Sequence, residues 1–278
     1  VIPGLKNAHT HSAMTFLRSK ADDMVLDCWL KEQVFPYEAK LTPDDVYLFS
    51  KLAIAEYLTS GITANFDMYL MPEPAAAASA ECGFRTVLTG AVNDFTQSVQ
   101  MLADWYQTLN RYDPLISFLP GFHAEYTTSY AILKELGQLA VSLRAPMYMH
   151  NSETAREVAG CLARYGKTPS ALFEELGIFD YGGGGFHCVY LSDEDLEIFR
   201  RHGVYAVTCP AANLKLASGI APIARMLSHG IRVAVGTDGP AGNNALDLFR
   251  ELYLVSVLAK HRSFDAAALD AVQVFGMA

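Results

Sequence analysis

Two histidines lie one residue apart at the end of the first apolar run of the chain, VIPGLKNAHTHSAM, as His9 and His11. Alternate residues of a β-strand point to the same side, so both imidazoles can face one point in space. Imidazole nitrogens are common ligands of zinc, and such a pair can begin a metal site. The pair alone also has an ordinary explanation, because a single histidine is usually a surface or hydrogen-bonded residue.

Further candidate residues end other apolar runs. His150 ends APMYMH, His187 ends GGGGFH, and Asp238 follows VAVGT. His123 ends a fourth run of this kind, ISFLPGFH. Several histidines and a carboxylate, each at a strand end, suit zinc or another divalent metal with one coordination position open for water.

Strand-like and helix-like segments alternate along the chain and would position these side chains. The strand-like runs are VIPGLKNA, GITANFD, FRTVLTG, ISFLPGFH, PMYMH, GGFHCVYL, VYAVTC and IRVAVGTD. Helices are predicted over residues 42–59, 73–82, 96–111, 129–143, 153–165, 222–228 and 246–260, with one more that begins after Ser192. The GGGG run at 182–185 is interpreted as a flexible approach to the sixth strand.

Eight strands that are each followed by a helix predict an α/β fold with a parallel sheet, closed into a (β/α)8 TIM barrel. We expect a single domain over residues 1–278. An open doubly wound sheet is the alternative, but no GxGxxG opens a helix after the first strand. The C-terminal ends of barrel strands meet at one mouth, so the candidate residues should meet there.

The composition narrows the range of partners. The net charge of −9 disfavours nucleic acid, which requires a basic face. No apolar run reaches the roughly 18–20 residues of a membrane-spanning helix, so we expect no membrane partner. Five cysteines without a CxxC spacing favour a reducing, cytoplasmic location.

Several longer motifs resemble one known family over essentially the whole chain. They are NAHTHSAMTFLR, FPYEAKLTPDD, HNSET, FHCVYLSDED, NLKLASGIAPIARML and GTDGPAGNNALDLFREL. The chain resembles the amidohydrolase superfamily, and more narrowly the methylthioadenosine/S-adenosylhomocysteine deaminases. The resemblance implies a barrel that hydrolytically deaminates an adenine nucleoside with one divalent metal ion, zinc in the first place and iron as an alternative. Because the sequence begins inside a strand, at Val1, we also expect the family's flanking β-sandwich outside this chain.

The resemblance also implies roles for individual residues. Glu153 matches the acid that protonates the purine ring nitrogen, and His187 matches the histidine that polarises the attacking water. Asp238 can accept a proton from that water. Glu38 matches the residue that binds the ribose hydroxyls, and His123 a second substrate contact. The positions that match the metal ligands are His9, His11, His150 and Asp238.

Two positions depart from the family pattern. Gly90, in LTGA, stands where relatives carry an arginine that would meet the carboxylate of a homocysteine tail, which predicts a preference for small neutral 5′ groups. Thr208, in TCPAAN, stands where relatives carry histidine, and metal binding should survive this change.

Glu38 and Glu153 also have ordinary interpretations. Glu38 could be a surface charge in a loop, and Glu153 could be an exposed residue in the first turn of a helix.

Three functions follow from these observations. The first is deamination of an adenine nucleoside such as 5′-deoxyadenosine, methylthioadenosine, adenosine or S-adenosylhomocysteine. The second is another reaction at the same metal site, such as guanine deamination or triazine chlorohydrolysis. The third is a metal-free barrel that acts as a binding subunit, which the complete set of candidate residues disfavours. The oligomeric state stays open, with a homo-oligomer among the expectations.

Overall fold

The architecture of the protein is a closed parallel barrel. A computed structural model describes residues 2–20 and 22–278, and over these residues eight strands pair in parallel in the orders β1-β2-β3-β4 and β5-β6-β7-β8. The strands are β1 (Leu5–Thr10), β2 (Ile62–Met68), β3 (Arg85–Thr89), β4 (Ile116–Leu119), β5 (Met147–Asn151), β6 (Gly183–His187), β7 (Tyr205–Thr208) and β8 (Val233–Val235).

Backbone hydrogen bonds close the barrel at the two junctions between these four-stranded sheets. After β4, the Tyr148 amide donates to the Pro120 carbonyl over 3.1 Å, and the His150 amide donates to the His123 carbonyl over 2.9 Å. After β8, the Asp238 amide donates to the His9 carbonyl over 3.0 Å. The predicted TIM barrel is therefore confirmed.

Helices on the outside connect the strands. They are α1 (Leu26–Cys28), α2 (Phe35–Glu38), α3 (Pro43–Thr59), α4 (Pro72–Glu81), α5 (Val99–Leu109), α6 (Tyr130–Leu143), α7 (Ala155–Tyr165), α8 (Pro169–Glu175), α9 (Asp193–His202), α10 (Pro210–Lys215), α11 (Ile223–Ser228), α12 (Pro240–Asn243), α13 (Leu248–Ser263) and α14 (Ala271–Phe275). Two 3₁₀ segments (Ser12–Leu17 and Glu125–Thr127) and one π-helical segment (Trp29–Val34) complete them. At the start of α3, Thr42 and Asp45 form a capping box, in which each side chain bonds to the backbone amide of the other.

The barrel interior is apolar below its mouth. Met68, Phe186 and Val207 form a buried cluster inside it, and the Phe186 ring stacks on the His9 ring with centroids 3.8 Å apart. A larger buried core lies between the strands and the surrounding helices. The strands are readable in the sequence because both faces of a barrel strand are buried, which gives short apolar runs.

The glycine run was assigned wrongly. Gly183, Gly184 and Gly185 belong to β6 and are buried instead of forming a flexible approach to it. A Cβ atom on Gly184 would lie 2.8 Å from the Tyr148 ring, and one on Gly183 would lie 1.9 Å from the Met147 carbonyl oxygen. The glycines therefore allow β6 to pack closely against β5.

Other boundaries differ from the predictions. The first strand begins at Leu5, and Val1, where it was predicted to begin, lies outside the described residues. His123 lies four residues beyond β4, although its carbonyl still pairs with β5. α7 begins at Ala155 and not at Glu153, and Thr154 is its N-cap, whose hydroxyl accepts from the Glu157 amide. Short helices such as α8, α10 and α12 were not predicted, and the last helix, expected to begin near Phe264, begins at Ala271.

The largest unpredicted feature is a helical segment over residues 26–38. It runs as α1, a π-helical segment and α2, and it lies beside the barrel mouth. Single π-turns within helices are rare and frequently occur at functional sites. Glu38, which had an alternative interpretation as a surface charge in a loop, is buried at the end of this segment.

None of the described helices is long and apolar enough to cross a membrane. All five cysteines lie in the described part of the chain, and each is a free thiol.

Candidate active site

A cavity of about 390 Å³ opens at the C-terminal ends of the strands and collects the candidate residues. Those that line it are His11, Glu38, His123, His150, Glu153, His187 and Asp238. His9 lies just beneath this lining and is fully buried. The structure therefore brings together all eight residues that the sequence singled out.

Three histidines converge at the base of the cavity. One ring nitrogen each of His9, His11 and His150 lie within 4.8 Å of one another. The Nδ1 atom of His11 donates to the Met68 carbonyl over 2.6 Å, and that of His150 donates to the His123 carbonyl over 2.7 Å. A carbonyl oxygen only accepts, so in both rings Nδ1 carries the proton and Nε2 is free to bind a cation.

The surroundings of His9 also fit a bound cation. Both of its ring nitrogens are buried, and neither has a hydrogen-bond partner among the described residues. Burial and the neighbouring histidines hold the pKa values of His9 and His150 well below the usual range, so both rings are neutral. Neutral imidazole is the form that binds a metal. The Asp238 Oδ1 atom lies 3.3 Å from His11 Nε2 and 3.8 Å from His9 Nε2, where it can supply a fourth ligand.

Unusual backbone conformations cluster at the same strand ends. Ser152, His187 and Asp238 have φ angles of 51°, 68° and 60°, in the left-handed region. Residues other than glycine rarely adopt this region, and such strain concentrates at active sites. The backbone conformation and the side-chain chemistry thus indicate the same functional site.

Glu153 and His187 face each other beside the histidine cluster. The Glu153 Oε2 atom lies 3.8 Å from His187 Nε2, and Glu153 Oε1 accepts from the Ser218 hydroxyl over 3.2 Å. The His187 Nδ1 atom donates to Asn213 Oδ1 over 2.7 Å, which leaves its Nε2 facing Glu153 on the cavity side. Burial raises the pKa of Glu153, and the Asp238 charge raises it further, while His187 opposes this. Glu153 is therefore suited to hold a proton.

A second carboxylate fixes the backbone at Glu153. Glu157 accepts from the Ser152 amide over 3.0 Å and from the Glu153 amide over 2.7 Å. Both donors belong to the turn between β5 and α7. This turn is where the left-handed Ser152 lies, so Glu157 helps to hold the strained conformation that presents Glu153.

Glu38 lies in the same cavity, on the helical segment beside the barrel mouth. Burial raises the pKa of Glu38 to about 7, and the nearby Tyr69 hydroxyl partly offsets this rise. No lysine or arginine is among the described residues that line the cavity, so no such side chain forms an ion pair with Glu38 there. The apolar lining comes mainly from residues that the sequence analysis did not single out: Leu26, Trp29, Leu30, Val34, Phe35, Phe95 and Leu216.

His123 is half-buried between Phe35 and His150. The Thr127 hydroxyl donates to the Ala124 carbonyl and therefore accepts from His123 Nδ1 over 2.8 Å. Burial, with the nearby histidines, lowers the pKa of His123 to about 3. Its Nε2 atom is consequently an acceptor, available to a ligand in the cavity.

The two departures from the family pattern lie outside the cavity. A Cβ atom on Gly90 would lie 2.4 Å from the Leu102 side chain of α5, so any larger residue there would require that side chain to move. The preference predicted from Gly90 stays a prediction, and no lysine or arginine is among the described residues that line the cavity. Thr208 is buried at the end of β7 and does not line the cavity either.

This geometry agrees with the comparison against protein families. Residues 1–278 match the model of the amidohydrolase family. The chain belongs to the amidohydrolase family. Its barrel, its converging histidines and its aspartate after β8 are the features through which the sequence resembled that family.

Individual amidohydrolases resemble the chain over its whole length. Enzymes named 5-methylthioadenosine/S-adenosylhomocysteine deaminase are 41% identical over 99% of it in Thermoanaerobacter pseudethanolicus and 42% identical over 100% of it in Syntrophomonas wolfei. A solved adenosine deaminase from Xanthomonas campestris with bound zinc is 37% identical, with a TM-score of 0.94 over 99% of this chain. The chain spans 66%, 66% and 65% of the lengths of these three proteins.

Two residues that contact the candidate residues received no role from the sequence. Asn213 and Ser218, which bind His187 and Glu153, lie in the motif NLKLASG. The motif was part of the resemblance, but polar residues in a short unpredicted helix and the loop after it give no sign of their partners. Their position after β7 was the available signal, since loops after barrel strands form the active site.

Proposed function

We propose that this amidohydrolase deaminates the adenine ring of a nucleoside and releases ammonia and the inosine analogue. The observation that carries the proposal is the placement of Glu153, His187 and Asp238 in one cavity with Glu38, so that reacting groups and a diol-binding carboxylate share one site. The names of the relatives support the same reaction. Because the chain spans about two thirds of their lengths, the activity is proposed for the whole protein.

The proposed cofactor is one divalent metal ion, zinc in the first place and iron as the alternative. Its ligands would be His9, His11, His150 and Asp238. The neutral histidines, with free Nε2 atoms in two of them, support this assignment. When bound, a divalent ion lowers the pKa of a coordinated water to about 7, which supplies a nucleophile at neutral pH.

The residues around this position would move the protons. Asp238 accepts a proton from the water that attacks the carbon bearing the amine, and Glu153 gives its own proton to the adjacent ring nitrogen. The raised pKa of Glu153 keeps this proton available. The C–N bond then breaks as the proton that Asp238 received is transferred to the leaving amine, which departs as ammonia. The proton of the added hydroxyl group returns to Glu153 as the carbonyl forms. His187 Nε2 orients the attacking water through a hydrogen bond.

The opposite end of the cavity would bind the sugar. A carboxylate accepts from both hydroxyls of a vicinal diol, and Glu38 supplies one. His123 supplies a further acceptor there. Beyond the ribose, a negatively charged 5′ group would find no cation among the described lining residues, and an unpaired buried charge is costly. Small neutral 5′ groups should therefore be preferred.

A panel of substrates tests the proposal. Steady-state kcat/KM would be compared for adenosine, 5′-deoxyadenosine, methylthioadenosine, S-adenosylhomocysteine and free guanine, with ammonia release as the readout. We expect the three nucleosides with small neutral 5′ groups to react best. A tenfold preference for S-adenosylhomocysteine would contradict the assignment of the 5′ end, and a preference for guanine would contradict the nucleoside assignment.

The location and assembly follow from weaker observations. Free thiols at all five cysteines support a reducing compartment, and we propose the cytoplasm. A homo-oligomer stays a prediction, for which sedimentation velocity of the purified protein is the direct measurement.

A further inference from the structure

Glu251 is a completely buried carboxylate with no role in the proposed reaction. It lies in the first turn of α13, where an acidic residue is usually exposed and favoured by the helix dipole. Its two hydrogen-bond donors are neutral: the Ala211 amide at 3.0 Å from Oε2 and the Asn243 side-chain amide at 2.8 Å from Oε1. Burying a carboxylate without an ion-pair partner is costly, so the two contacts require an explanation.

The first contact leads to His187. Ala211 lies in the first turn of α10, and Asn213 lies two residues further along the same short helix. Asn213 Oδ1 is the acceptor that fixes the proton of His187 on Nδ1, over 2.7 Å. Because α10 has only six residues, fixing its first turn also fixes the position of Asn213.

The second contact leads to Asp238. The Asn243 side-chain amide has two N–H groups, and besides Glu251 it donates to the Thr237 carbonyl over 2.6 Å. Thr237 directly precedes Asp238, whose backbone is held in the left-handed region. Glu251 therefore orients the Asn243 side-chain amide, whose hydrogen bond to the Thr237 carbonyl restrains the backbone at Asp238.

We propose that Glu251 is a positioning residue that fixes His187 and Asp238 relative to each other by joining the loops after β7 and β8. It touches neither substrate nor the proposed metal position. The expected change in kcat rests on the proposed function. The expected change in zinc affinity does not, because a displaced Asp238 would weaken zinc binding whatever reaction the protein catalyses. Because the Glu251 carboxylate makes both the contact with Ala211 and the contact with Asn243, a change of this side chain should displace both His187 and Asp238.

The substitution Glu251→Gln tests this. Glutamine keeps the size of the side chain but offers one acceptor oxygen to two donors, so either the Ala211 amide or the Asn243 amide loses its partner. Residues that orient metal ligands typically change metal affinity or activity by about 10–100-fold when altered. In the full-length protein we expect kcat per bound zinc to fall at least about tenfold, KM to change by less than about threefold, and the zinc dissociation constant to rise about tenfold.

Glu56→Gln is the matched control. Glu56 also accepts from a backbone amide of the loop before α13, that of Leu246 at 2.9 Å, and pairs with Arg18, but it has no contact with Asn243 or Ala211. Thermal unfolding, zinc competition with a chromophoric chelator, and kcat and KM would be measured for both variants. The control should unfold at a lower temperature with zinc affinity and kcat unchanged.

The proposal about Glu251 can be overturned by one result. It would be overturned if the zinc affinity and the kcat of Glu251→Gln stayed within twofold of the parent, whatever the unfolding temperature of the variant. If that variant does not fold, Asn243→Ala takes its place, because it removes the link to the Thr237 carbonyl, and it must show the same loss. A parent protein that deaminates no nucleoside would refute the proposed function, while the zinc comparison would still decide the role of Glu251.

Discussion

Replacing Glu38 with glutamine should stabilise the substrate-free protein in a way that depends on pH. Burial raises the pKa of Glu38 from 4.5 to about 7 in the folded state. Between these values the folded state binds more protons than the unfolded state, so the free energy of unfolding falls as the pH rises. The difference between the two pKa values corresponds to a free energy of unfolding that is lower by about 3 kcal/mol at pH 8 than in acid. Glutamine carries no charge, so the variant escapes this loss.

Urea unfolding of the metal-free protein, with a chelator present, measures the effect. The stability advantage of Glu38→Gln over the parent should grow from below about 1 kcal/mol at pH 5 to about 3 kcal/mol at pH 8. Glu32, in the same helical segment but exposed, is the control, and Glu32→Gln should show no such growth. An advantage that is equal at both pH values would refute the reasoning, because Glu38 would then titrate as it does in the unfolded chain.

The same substitution should weaken substrate binding. A hydrogen bond to a charged group is worth about 1.5–3 kcal/mol, so KM for adenosine should rise at least about tenfold in Glu38→Gln. If Glu38 binds the diol as proposed, the same carboxylate that destabilises the substrate-free protein holds the substrate. An unchanged KM would show that Glu38 does not bind the ribose hydroxyls.

Two further predictions concern proton transfer. Glu153→Gln should keep its zinc and lose about 10²–10⁴-fold in kcat, the usual contribution of a general acid or base, and near-full activity would mean that the proton takes another route. Ser218→Ala removes a hydrogen-bond donor that lowers the pKa of Glu153, so the alkaline decline of kcat, where Glu153 loses its proton, should move to higher pH. A pH profile that does not move would show that the decline belongs to a different group.

The sequence was a good guide to the barrel and to the residues at its mouth. Parallel strands buried on both faces appear as short apolar runs, and the polar residue that ends such a run must lie at the mouth. His150 and His187 were recognised in this way from their own segments alone. Pairing across the barrel needed no further information, because consecutive strands are neighbours in this fold.

The missed features depend on contacts between distant residues. The helical segment over residues 26–38 has a π-turn, which breaks the 3.6-residue period by which helices are recognised. The space beside Gly90 depends on α5, and the burial of Glu251 depends on α12 and α10, whose contacting residues are 8 and 40 residues away in sequence. Each has an ordinary local interpretation, and only the tertiary contacts contradict it.

The most direct test of the central claim is a zinc titration of the metal-free protein, followed by ammonia release from methylthioadenosine. If His9, His11, His150 and Asp238 form one site, activity should rise linearly and reach its plateau at about one zinc per chain. Activity that needs two zinc ions per chain, or that persists in the metal-free protein, would contradict the account.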